Sequence, residues 1–334
     1  MAVTPLETSS HDSGKLGVSL ANLVEVIVPA LDAVRRSASS DRMLTIVEVG
    51  AYAGDLTSTL VAWGHINRAR VVAIDPDPQP SLVELACREP GIFTLLRDYS
   101  PEALLTLGSA DCIIVDGDHN YFTVMSELNA AAELASPLSP YPLVMLHDVL
   151  WPHGRRDHYA DPARIPADYL HPHTPGGELH PDNTGLAHGE GIPYPCPANK
   201  EGGDRNGVLT AVEDFIASRD DLVHALIPAF FGLSILWSLQ APYAHELGAL
   251  VAPLDRHPLL ERLEHNRVLH VTESRRLALQ LSSRHERLVQ LHHRIATLRG
   301  SRTYRVARLL ARVRHFRRMP DLWRETTVVR AEAS

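Results

Sequence analysis

Cysteine is scarce in this chain, with three residues in 334. Cys87, Cys112 and Cys196 are scattered and make no CxxC pair, which excludes a disulfide framework and agrees with a reducing compartment. Long apolar runs are missing too. The best candidate, Leu226 to Trp237, is broken by Pro228 and Gly232 and falls short of the roughly 20 residues needed to span a bilayer. It reads as two core strands. The N-terminal stretch MAVTPLETSSHDSGK has no basic start followed by an apolar block, so a cytoplasmic protein without a secretion signal is expected. No GxGxxG turn occurs, which disfavours a dinucleotide site and, with it, a nicotinamide-dependent oxidoreductase. Aromatics make up 6% of the chain and form no nucleic-acid module. The net charge of −8 is also uneven, because eight arginines between Arg299 and Arg318 have no acid among them. The remaining body is more acidic still, which argues against nucleic acid as a partner.

What is present is an alternation. From Leu44 the runs LTIVEVG, RVVAIDP, IFTLLRD, DCIIVDG and YPLVMLHDV are separated by the helical patterns DLTSTLVAWGHI, SLVELACRE, PEALLTL and YFTVMSELNAAAELA. Short continuous apolar strands between amphipathic helices predict a doubly wound α/β fold with a mostly parallel sheet covered on both faces. LVHALIPA and FGLSILWSL, separated by a short gap, predict an antiparallel hairpin at the end of a seven-stranded sheet. The expected organisation is a helical segment at 1–40, a main domain at 41–240 with an insertion at 151–205, and a helical extension at 241–334. The N-terminal helix is expected over 13–37. In the extension, Leu281, Leu288, Leu291, Ile295 and Leu298 follow heptad spacing, which suits either a homo-oligomer contact or packing on the chain's own domain.

Chemistry gathers at the strand ends. VEVGAYAGDLTSTL puts Gly50 and Gly54 in a strand-to-helix turn with Glu48 before it, and glycine lets backbone approach a ligand closely. An acid inside the turn suits a neutral or cationic ligand head better than a phosphate. Asp75 ends the second strand beside that turn, where its carboxylate can accept both hydroxyls of a ribose or cap the next helix. Asp116 ends the fourth strand, and His147 and Asp148 end the fifth. Adjacent parallel strands lie about 4.8 Å apart, so these groups can converge. Two carboxylates and an imidazole suit a divalent cation, Mg²⁺ or, with nitrogen in the set, Mn²⁺. His119, three residues after Asp116, has an ordinary pKa of about 6.5 and could serve as a base near neutrality. It could equally cap a helix, and Asp118 either orients it or faces solvent.

Together, EVGAYAG, the acid after the second strand and DCIIVD resemble class I S-adenosylmethionine-dependent methyltransferases over roughly residues 40–240. The turn is most similar to the branch with E-x-G-x-x-x-G, the small-molecule and sugar O-methyltransferases of the macrocin and cephalosporin-pathway type. Tyr52 stands where many relatives have a middle glycine. The resemblance implies S-adenosylmethionine as cofactor, with Gly50 and its turn (Glu48, Tyr52, Gly54) at the methionine end, Asp75 on the ribose, and Asp98, Tyr99 and Ser100 near the adenine. It also resembles the catechol type, which implies Mg²⁺ held by Asp116, His147 and Asp148, with His147 replacing an acid, and His119 as the base that deprotonates the acceptor. The expected acceptor is a hydroxyl on a small molecule, a sugar or glycosylated natural product. The alternative is a non-catalytic nucleotide-binding protein that assembles partners through its helical tail.

The insertion from Trp151 to Arg205 is rich in Pro, Gly, His and Asp and has no sustained periodicity. It is expected to be a lid over the acceptor. Tyr159, Tyr169 and Tyr194 are expected to stack on the acceptor, with Arg155, Arg156 and Asp157 fixing its polar groups. His153, His158, His171, His173, His180 and His188 match no zinc motif. In the tail, Tyr304, Val306, Leu309, Leu310, Val313 and Phe316 interleave with arginines at helical spacing, as in a packed amphipathic helix or one lying on an anionic surface.

Overall fold

The structure, a computed structural model, describes residues 19–189 and 191–306. Residues 13–18 of the expected first helix, and the basic tail after Val306, lie outside these. Two compact units divide the chain, Met1–Arg276 and Leu277–Ser334.

In the first unit, strands β1 (Leu44–Val49), β2 (Ala69–Ile74), β3 (Phe93–Leu96), β4 (Cys112–Val115) and β5 (Leu143–His147) alternate with helices α1 (Val24–Ser37), α2 (Asp55–Asn67), α3 (Pro80–Arg88), α4 (Ser100–Leu105) and α5 (Tyr121–Ala132). The insertion then supplies β6 (Glu178–His180), β7 (Asn183–Ala187) and β8 (Ile192–Pro193). Helix α6 (Val208–Ala217) returns to β9 (Leu222–Ile227) and β10 (Leu233–Ser238), and α7 (Ala244–Val251) and α8 (Pro258–Gly300) follow. The main sheet has seven strands in the order β3-β2-β1-β4-β5-β10-β9. β1 to β5 pair in parallel, and β10 is antiparallel to both β5 and β9. This is the doubly wound sheet with a terminal hairpin that the apolar runs predict.

Alternation along each strand builds two cores. Leu44 and Ile46 of β1 face one layer with Leu31, Leu60 and Leu247. Val47 and Val49 face the other, with Val124, Leu128 and Val212. Helix α7 therefore belongs to the first unit, since Leu247 and Val251 are buried in its core, and the extension expected from 241 separates only within α8. Beyond Arg276 the leucines at 277, 281, 288, 291 and 298 are exposed. Among the described residues no helix is long and apolar enough to cross a membrane.

The sheet order reverses at β1, whose following helix and that of β4 lie on opposite faces. The crevice outside the carboxyl ends of β1 and β4 is the place where such a sheet admits a ligand.

Candidate functional site

The crevice begins with a close approach. Gly50 has φ +79°, and a Cβ there would lie 2.1 Å from the Asp116 carbonyl oxygen. Only glycine lets the ends of β1 and β4 pass this closely. The next residues turn back on Asp75. Tyr52, itself at φ 45°, donates its N–H to Asp75 Oδ2 at 2.7 Å, and Asp77 N donates to Oδ1 at 2.9 Å. Both carboxylate oxygens are thus oriented by backbone donors. Gly54, at φ +86°, starts α2 from a left-handed conformation.

Seven of the residues singled out by sequence, Gly50, Tyr52, Asp75, Tyr99, Ser100, Asp116 and Asp118, line one cavity of about 690 Å³, a volume ordinary for a small-molecule or cofactor pocket. Glu48, Gly54 and Asp98 are not on its wall. Glu48 is buried beneath the turn, and burial pushes its pKa up to about 8. Ser100 donates its hydroxyl to buried Glu127, whose pKa burial likewise raises to about 8. The insertion supplies part of the wall through Asp161, Arg164 and Ile165. The Arg164 guanidinium lies 3.5 Å over the Tyr99 ring and pairs with Glu102 at 2.9 Å.

Beside the cavity is an ionic cluster. His147 Nε2 donates to the Phe230 carbonyl at 2.6 Å while Nδ1 faces Asp116 Oδ1 at 3.0 Å. With an acceptor at each nitrogen, the ring is satisfied only as the imidazolium. Burial opposes that charge, but Asp116 and then Asp148 outweigh it and raise the pKa to about 9. Asp116 is held at about 2, because His147 and His119 overcome its burial. His119 Nε2 sits 2.9 Å from Asp148 Oδ2 and 3.6 Å from Asp116 Oδ1. Burial works against its charge, yet Asp148 and Asp116 raise its pKa well above the usual imidazole range. Asp148 is lowered despite burial, chiefly by His147 and His119. Neither His119 Nε2 nor Asp148 Oδ1 has an aligned hydrogen-bond partner.

This geometry changes the expected metal set. Asp116, His147 and Asp148 do converge, but an imidazolium bonded at both nitrogens has no lone pair for a cation. His147 therefore does not fit as a ligand. The imidazole whose ligand atom groups with those of Asp116 and Asp148, all within 4.8 Å, is that of His119.

The insertion differs from a bare loop, because β7-β6-β8 form a three-stranded antiparallel sheet. Its strands have only two to five residues, too short to show a period in sequence. Several residues expected to meet the acceptor are structural. Asp157, fully buried, accepts from Tyr121 N, Gly207 N and the Tyr159 hydroxyl at 2.7–3.0 Å. Tyr159 is also fully buried, so it offers no face for stacking. Arg156 is buried on the carbonyls of Ala198 and Thr184, and Arg155 pairs with Glu213. Asp118 accepts from Thr123 Oγ1 and Ala160 N, tying α5 to the insertion rather than contacting His119.

Sequence reasoning placed His153 and His158 in a lid over the acceptor and did not foresee that the insertion stacks them onto His119. Ring centroids are 4.9 Å apart for His119–His153 and 5.0 Å for His153–His158. Burial and the charge of His119 lower the pKa of both, His158 to about 4 and His153 well below its ordinary value. Nothing in the local sequence around them signals this, since the partner ring is over thirty residues away.

Residues 47–149 match the profile of a methyltransferase-domain family. No curated protein matches by sequence. Solved structures similar to this chain include the S-adenosylhomocysteine-bound methyltransferase PaMTH1 of Podospora anserina, at 16% identity and TM-score 0.38, over 64% of this chain and 78% of that one. The CcbJ methyltransferase of Streptomyces caelestis is similar at 12% identity and TM-score 0.33, over 66% and 97%. The family match falls on β1 to β5, the part of the doubly wound sheet that carries Gly50, Asp75 and Asp116, and marks a methyltransferase domain there.

Proposed function

We propose that the chain transfers a methyl group from S-adenosylmethionine to a hydroxyl of a polyhydroxylated small molecule, such as a sugar-bearing compound. The observation that carries this is the shared crevice: Gly50 and Asp75 line the same cavity as Asp116, and His119 lies beside Asp116 and Asp148. In this reading the Gly50 turn holds the methionine end, Asp75 the ribose, and Tyr99 with Ser100 the adenine end.

The reaction is an in-line displacement. The acceptor oxygen attacks the sulfonium methyl, the carbon–sulfur bond breaks, and its electron pair stays on sulfur in S-adenosylhomocysteine. The acceptor proton goes to the neutral His119 ring, and Asp148, 2.9 Å from Nε2, stabilises the imidazolium formed. The protein's main contribution is position, holding oxygen and methyl carbon at about 3–3.5 Å. Magnesium held by Asp116, His147 and Asp148 has no part in this mechanism, since His147 has no free lone pair.

The test is transfer of labelled methyl to a panel of sugars, glycosides and catechols by wild type and His119→Ala. The expected result is turnover on a polyol or glycoside, lowered by about 10²-fold or more in the variant, with S-adenosylhomocysteine binding retained. Binding without turnover on any acceptor would favour the non-catalytic assembly reading. The exposed leucine row of α8 supports self-association in either case.

A further inference from the structure

Three imidazoles, His153 buried and His119 and His158 half-buried, meet where the insertion touches the loop after β4. His119, His153 and His158 each bring a ligand nitrogen within 4.8 Å of the other two. Nδ1 of His153 and Nε2 of His158 lack a hydrogen-bond partner, and His153 is only 4% exposed. Leaving one buried polar atom unsatisfied costs about 1–3 kcal/mol, so two side by side call for a common partner. His119 Nε2 faces Asp148 Oδ2 at 2.9 Å without an aligned hydrogen bond.

The cluster is built rather than accidental. His158 N donates to the His119 carbonyl at 2.9 Å, and Val208 N donates to the His153 carbonyl at 2.9 Å. One bond fixes the insertion to the β4 loop, the other to the start of α6. Tyr194 packs edge-on against both insertion rings, with centroids 5.2 Å from His153 and 6.0 Å from His158, shielding them on that side. The donor set is nitrogen-rich, which suits Zn²⁺ and neighbouring first-row ions and not Mg²⁺, which prefers six oxygens. Metal–nitrogen bonds of about 2.0–2.1 Å place tetrahedral donors roughly 3.4 Å apart, so modest ring rotations close the site.

We propose that His119, His153 and His158 bind one transition-metal ion of the Zn²⁺ type. Where the methyl-transfer reading above holds, an ion on His119 takes the one lone pair of the neutral ring, which would otherwise accept the acceptor proton. Metal loading and base function then exclude each other, and the insertion becomes a metal-responsive brake. The binding site itself does not depend on that reading.

The test uses the full chain stripped with a chelator and titrated with Co²⁺, followed by its visible d–d absorption, then displaced by Zn²⁺. One tightly bound ion per chain is expected. His153→Ala and His158→Ala should each weaken it at least about 10-fold, whereas His188→Ala, exposed in the same insertion, should bind as wild type does. Excess Mg²⁺ should not displace Co²⁺. Binding unchanged in both cluster variants, no binding by wild type, or ready displacement by Mg²⁺ would each overturn the proposal. Thermal unfolding checks that the variants fold, and His158→Gln is a milder second variant with the same expectation. S-adenosylhomocysteine binding, measured on the same samples, reports separately on the methyl-transfer reading.

Discussion

Gly50→Ala tests whether the approach of β1 to β4 sets the crevice, and Gly54→Ala is its internal control. Both glycines have left-handed φ, +79° and +86°, so each alanine incurs a backbone cost of about 1–2 kcal/mol. The surroundings differ. At Gly54 the nearest atom to the new methyl is Leu82 Cδ1 at 3.2 Å, the end of a side chain that can turn aside. At Gly50 the new Cβ meets backbone, with Asp116 O at 2.1 Å, Asp116 C at 2.5 Å and Gly117 Cα at 2.6 Å. Relieving this means shifting the Asp116–Gly117 peptide by about 1 Å, an overpacking cost of about 1–3 kcal/mol. The shift also disturbs the bonds Gly50 N to Ile74 O and Asp116 N to Val49 O, both 2.9 Å, at about 1 kcal/mol each. Gly50→Ala should therefore cost roughly 4–7 kcal/mol and Gly54→Ala roughly 1–2 kcal/mol. Urea unfolding followed by circular dichroism measures both, and S-adenosylhomocysteine-induced thermal shifts should vanish only for Gly50→Ala. Equal costs at the two positions would refute the argument that close approach, rather than φ, requires glycine at Gly50.

Other expectations follow from the buried charges and the exposed helix. Because Asp148 and Asp116 raise the His119 pKa against its burial, its base form is scarce at neutrality, and kcat/KM should climb through the alkaline range. A plateau already reached near the ordinary imidazole pKa of about 6.5 would remove His119 as the base. Burial raises Glu127 from its ordinary 4.5 to about 8, so the folded chain holds a proton that the unfolded chain releases. That contribution is complete below about 4.5 and is lost as pH rises through about 8. Glu127→Gln should therefore gain a few kcal/mol relative to wild type between about pH 5 and pH 8, and a pH-independent difference in denaturation midpoints would contradict it. Leu281→Glu with Leu288→Glu should shift sedimentation to a smaller species. An unchanged sedimentation coefficient would mean these leucines mediate no self-association.

The sheet was legible because its strands are covered on both faces. Runs such as CIIV and LVMLH are wholly buried, so apolar continuity and length marked them as parallel strands. The carboxyl edge was legible for a related reason: an ionisable residue directly after an apolar strand, as at Asp75 and Asp116, must emerge at the crevice. Chemistry that depends on tertiary pairing was not legible. His147 and His119 look alike in sequence, and only tertiary partners separate them: the Phe230 carbonyl takes His147 Nε2, whereas His119 Nε2 faces Asp148. Arg156 and Asp157 read as lid residues that fix polar groups of the acceptor, yet they are buried pins of the insertion. Backbone carbonyls and amides from distant segments satisfy them, and such partners leave no trace in local composition.

The His147 anchor extends to the other side of the sheet. The β9–β10 turn puts Phe230, Phe231 and Gly232 at positive φ, a strained run for two bulky residues. It is held by buried Glu264 of α8, which accepts from Phe230 N at 2.9 Å and Phe231 N at 2.7 Å, with Arg267 pairing to the same carboxylate at 2.6 Å. Glu264→Ala removes the acceptor of the Phe230 and Phe231 amides, the latter buried, and the Arg267 ion pair, a loss of about 3–5 kcal/mol. The effect should reach the ionic cluster, because a turn that relaxes withdraws the Phe230 carbonyl from His147 Nε2. Without that acceptor, burial opposes the imidazolium more effectively, and the His147 pKa should fall from about 9. Proton NMR titration of the imidazole resonances in wild type and Glu264→Ala measures the change. If the variant is destabilised while the His147 titration stays fixed, the turn supports the fold alone and the carbonyl does not set the charge state beside Asp116.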